Sequence, residues 1–126
     1  MSNRVSGKCL VFAAVLCLPM LGKCQALTGL NLRAYCSFVS KTHLSNEEYT
    51  QKNICLFYVS GVVDGFQVGE GVPRICVPQE ATVNELALVV SKYLDRFPEK
   101  LHNQPVYLVI DAIATAFPCQ ASPPEK

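Results

Sequence analysis

The stretch that decides the fold is SNEEYTQKNICLFYVSGVVDGF, Ser45 to Phe66. It opens on a capping box: the Ser45 hydroxyl can accept from the Glu48 amide, while the Glu48 carboxylate reaches back to the Ser45 amide. Leu44 and Tyr49 stand on either side as a hydrophobic staple. Downstream, Ile54, Phe57, Tyr58, Gly61, Val62, Gly65 and Phe66 recur at helical spacing, which predicts a long helix with that stripe facing the core. Gly61, Gly65 and Gly69 repeat every four residues, and a glycine inside a helix costs about 1 kcal/mol relative to alanine. Close approach of another helix to the bare face is the expected compensation. From Gln67 to Arg74 the glycines and Pro73 predict a break and an exposed loop.

Working outward, Leu30 to Val39 reads as a short helix, with Leu30, Ala34, Tyr35, Phe38 and Val39 on one face. Thr82 to Glu85 forms a second capping box and opens a helix that buries Leu86, Val89, Val90, Tyr93, Leu94 and Phe97 until Pro98 stops it. A polar linker, Glu99 to Asn103, follows, with Asn103 as the expected cap of a last helix whose first turn tolerates Pro105. Val106 to Ile110 has strand propensity. The apolar character nevertheless continues through Ala112, Ile113, Ala116 and Phe117, too far for one typical strand, so a helix ending before Pro118 is expected. The fold class is all-α: a small bundle of about four helices arranged as two hairpins.

The N-terminus sets the chemistry around that bundle. Arg4 and Lys8 precede an apolar run from Cys9 to Leu21 and then Cys24, Gln25 and Ala26, the order of a cleavable export signal. The run is shorter than the roughly 20 residues that span a bilayer. Lys23 stands where lipid attachment at Cys24 wants a small residue. Residues 1–26 are therefore expected to be a signal peptide, 27–119 the helical domain and 120–126 a disordered tail. Cleavage leaves eight Lys and Arg against ten acids, a charge of about −2, which argues against nucleic acid and against an anionic membrane surface. It also removes three of the seven cysteines, leaving Cys36, Cys55, Cys76 and Cys119.

In an oxidising compartment four cysteines form two disulfides, and spacing alone allows three connectivities. No closely spaced pair suggests zinc. The hairpins decide among the three: Cys36 and Cys55 flank the turn near Leu44 at similar distances, and the second hairpin places Cys76 beside Cys119. The prediction is Cys36 with Cys55 and Cys76 with Cys119, each stabilising by about 3–4 kcal/mol.

Catalytic groups are few. His43 and His102 fall in polar loops, all four cysteines are accounted for as disulfides, and Asp64 and Asp111 lack a second acid at a fixed spacing. No phosphate loop, nucleophile elbow or metal-ligand helix is present, so neither an enzyme nor a cofactor is expected. Recognition through loops remains, with Glu70 and Arg74 in one and Glu99, Lys100 and His102 in another as candidate contacts.

CLFYVSGVVDG (Cys55 to Gly65), CVPQEATVNELALVVSKYLDRFPEKLH (Cys76 to His102) and AIATAFPC (ending at Cys119), in this order and spacing, resemble the Rap/Tai family of immunity proteins. The resemblance implies a periplasmic, largely helical protein, often a homodimer. Such a protein blocks a peptidoglycan amidase injected by a type VI secretion system, and the resemblance transfers no catalytic residue. A small periplasmic chaperone or stress-response protein is the alternative. It would lose its dimer at low pH and suppress aggregation.

Overall fold

The computed structural model of the chain describes residues 26–69 and 75–119. Four α-helices appear in it: α1 (Gly29–Cys36), α2 (Asn46–Val68), α3 (Val83–Arg96) and α4 (Pro105–Ala116), with a 3-10 turn at Pro98–Lys100 between the last two. Both expected capping boxes form. Ser45 Oγ accepts from the Glu48 amide at 3.3 Å, and Glu48 Oε2 accepts from the Ser45 amide at 2.9 Å. Thr82 and Glu85 make the same exchange, at 3.3 and 2.7 Å. A third box, Thr28 with Asn31, opens α1.

Among the described residues there is no strand, and the Val106 to Ile110 segment is helical. The helices pair as α1 with α2 and α3 with α4, and the two hairpins pack through α2 against α3 and α1 against α3. Leu32, Val59, Val90, Leu94, Leu108 and Ile113 are fully buried and form one core drawn from all four helices. Such continuity is what a domain of this size needs to offset chain entropy.

The disulfides pair as the hairpins require. Cys36 is bonded to Cys55 and Cys76 to Cys119, with Cα separations of 5.1 and 5.0 Å. Cys36 and Cys55 lie inside the core, whereas Cys76 and Cys119 form an exposed staple.

Cys55 also overturns the expected orientation of α2. The inward residues are Cys55, Val59 and Val63, while Ile54 and Phe57 point to solvent, Phe57 at 76% exposure, and Gly61 and Gly65 are exposed. Of the expected core stripe, Tyr58, Val62 and Phe66 are only partly buried. The cause is geometric: at 100° per residue, Phe57 stands about 200° around the helix from Cys55, and the bond to Cys36 turns Cys55 inward. Nor, among the described residues, does a helix close on the glycines. A Cβ built on Gly61 or Gly65 meets nothing within 4 Å.

Smaller corrections follow from end chemistry. The first helix stops at Cys36 rather than Val39, because residues 37–40 tighten into turns and Ser37 Oγ donates to the Ala34 carbonyl. Leu30, placed on its inner face, is 64% exposed. The second helix runs on through Gln67 and Val68. Gln104 rather than Asn103 is the N-cap of α4, with no side-chain capping bond, and Pro105 takes the first helical position, where no amide donor is required. Residues 1–25, the loop positions 70–74 and the tail from 120 lie outside the described residues, so the leader and tail expectations fall there almost entirely.

Candidate functional site

The turn after α3 is built on an aromatic pair. Tyr93 and Phe97, one helical turn apart, stack with ring centroids 4.8 Å apart. Pro98 forces the chain out of α3, and the 3-10 turn carries the Lys100 side chain back over both rings, with its ammonium 5.2 Å from the Tyr93 centroid and 4.8 Å from that of Phe97. Lys100 Nζ donates to the Tyr93 hydroxyl at 2.7 Å, and this bond raises the lysine's pKa above its ordinary value. Lys100 is thus bound inward as part of the turn. Leu101 is buried beneath, and Glu99 and His102 are exposed on either side.

Of the five loop residues expected to contact a partner, the structure brings Glu99, Lys100 and His102 onto this one firm turn and leaves Glu99 and His102 free to meet another molecule. Glu70 and Arg74 lie outside the described residues. His43 is exposed in the α1–α2 connection. Asp64 and Asp111 are exposed, and Asp64 accepts from Ser60 Oγ at 3.3 Å. Among the described residues, no group of three or more His, Cys, Asp or Glu could hold a metal ion.

Two surfaces escaped the sequence reading. One is an apolar groove on the outer face of α2, lined by Phe57, Tyr58, Gly61, Val62, Gly65 and Phe66 and closed by Val106 of α4, with no charged side chain in its walls. Partial burial pushes the Tyr58 phenol above its ordinary pKa. The signal for this groove was available: Cys55 must face Cys36, so the glycine side of α2 must face away. The other is a groove between α3 and α4 with Val89, Phe97, Ala112 and Ala116 as its apolar floor and Lys92 and Arg96 at its rim. No periodicity in either helix announced it, because it arises only where the two meet.

What these surfaces serve is narrowed by comparison with known proteins. The sequence model for the Rap1a immunity proteins matches residues 28–119. The chain belongs to the Rap1a immunity family. The match begins at Thr28, the cap of α1, and ends at Cys119, so it takes in all four described α-helices and both disulfides. Rap1a proteins are immunity proteins against type VI secretion amidases, and membership gives the chain a toxin-directed role. No curated protein and no solved structure matches it. Among the described residues, no helix is long and apolar enough to cross a membrane.

Proposed function

We propose that the chain is exported through its N-terminal leader and, in the periplasm, binds and blocks a peptidoglycan amidase delivered by a type VI secretion system. It acts as a homodimer and by occluding the toxin rather than by catalysis. The observation that carries this reading is the family match over the whole described domain. Supporting it are two disulfides suited to an oxidising compartment and a rigid turn that presents Glu99 and His102 outward. Glu70 and Arg74 are proposed from the sequence as further toxin contacts.

The test is protection. Cells that export a type VI peptidoglycan amidase of the class this family neutralises should lyse, and co-export of this chain should restore growth if that amidase is its cognate toxin. Rescue that depends on export, and fails when the chain is kept in the cytoplasm, is the expected result. Undiminished lysis with the chain present at excess in the periplasm would contradict the proposal.

A further inference from the structure

The glycine face of α2 is apolar and exposed, and nothing among the described residues explains it. Two helical glycines there cost about 1 kcal/mol each against alanine, and neither makes room for a neighbour, since an added Cβ would meet open space. Around them stand side chains that a lone domain would not gain by exposing: Phe57 at 76%, Val68 at 82% and Ile54 at 40%. At 100° per residue, Ile54, Phe57, Gly61, Gly65 and Val68 all fall within about 40° of Gly61, so they form one seam along the helix.

That seam is complementary to itself. Phe57 is its bump and Gly65 its hollow, each four residues from Gly61, so they stand about 6 Å to either side along the axis. A second α2 running antiparallel, related by a two-fold axis level with Gly61, puts each Phe57 level with the partner's Gly65 and each Ile54 level with the partner's Val68. A parallel pairing would instead set ring against ring and leave the hollows empty. We infer that a second copy of this chain docks here, its α2 antiparallel to the first and centred on Gly61, with the glycines letting the two backbones approach. A two-fold contact requires one patch to match itself, and this one does.

Charge and area agree with that occupant. No charged side chain lines the groove, and exposed Asp64, about 60° around the helix from Gly61, falls at the rim of the seam rather than at its centre. The exposed parts of Phe57, Ile54 and Val68, with the groove walls, offer roughly 500 Å² per copy, so the pair covers on the order of 1,000 Å², the lower bound for a specific interface.

The inference rests on the homodimer in the proposed function and supplies its surface. Sedimentation of the full chain, expressed for export so that both disulfides form, tests it at concentrations up to the order of 100 µM. The wild type should be a dimer. Phe57→Glu and Gly61→Arg, both at solvent-facing positions, should each weaken association about thirtyfold or more while helicity and both disulfides are retained. Gly65→Lys combined with Phe57→Glu should recover part of the association lost in Phe57→Glu alone, because the antiparallel register sets the two new charges side by side. A wild-type dimer that all three variants leave intact would overturn the surface but not the homodimer, and a wild-type monomer would overturn both. Toxin protection is read separately, so failure of the immunity reading remains distinct.

Discussion

Gly29 and the Gly61–Gly65 pair are the same residue type in opposite circumstances. At Gly29, the first residue of α1, an added Cβ would run into the backbone carbonyl oxygen of Leu101 and come within 2.7 Å of Leu108 Cδ1. Here the missing side chain lets the start of one hairpin seat against the turn and last helix of the other. On α2 the missing side chains make room for nothing within 4 Å. A glycine that its own fold explains marks internal packing, and one that its fold leaves unexplained marks a surface meant for another molecule.

The largest test of that contrast removes what creates it. Cys36→Ser with Cys55→Ser deletes the bond that turns α2, and thermal or denaturant unfolding should show a loss of about 2–5 kcal/mol. Gly29→Ala should cost about 1–3 kcal/mol in the same measurement, because the clash is with backbone that cannot rotate away. Gly61→Ala should do the reverse. In a dilute, monomeric sample it should add up to about 1 kcal/mol through helix propensity, while weakening self-association. Effects of opposite sign at Gly29 and Gly61 would sharpen the comparison, and destabilisation at both would break it.

The smallest effect is one of pH. The Glu48 carboxylate is held below its ordinary value of 4.5, chiefly by the Ser45 amide and then by Lys41, and Glu85 is lowered in the same way by Thr82. A carboxylate whose folded pKa is depressed contributes stability that is present above the unfolded value. That stability is lost as pH falls through the lower folded value. Unfolding midpoints should therefore fall below about pH 4.5 in the wild type, and Glu48→Gln should flatten part of that decline.

Much of the fold was legible because its signals are local. Ser45 and Thr82 announce α2 and α3 through bonds within four residues, and Pro98 and Pro118 follow the ends of α3 and α4. The Thr28 box was passed over because its third position holds Asn31, where Glu or Gln is the usual partner. The face of α2 was misread for a different reason. From Cys55 to Phe66 the helix is apolar on nearly every side, so periodicity offers more than one stripe, and the choice lies with a bond to a distant residue. Cys55 carried that information all along, since pairing it with Cys36 and burying the Phe57–Gly61–Gly65 side are incompatible requirements. Of the candidate contacts, Glu99 and His102 were recoverable as exposed loop residues. The inward role of Lys100 depends on where Tyr93 and Phe97 point, which no linear pattern encodes.

The central claim is that this domain neutralises a cell-wall amidase by binding it. The most direct measurement is hydrolysis of peptidoglycan by type VI amidases from the same genome, each followed as this chain is titrated in. Activity of the cognate enzyme should fall linearly and reach zero near one chain per amidase, the signature of tight stoichiometric occlusion. Hydrolysis that continues at full rate for every one of them in the presence of excess chain would contradict the account.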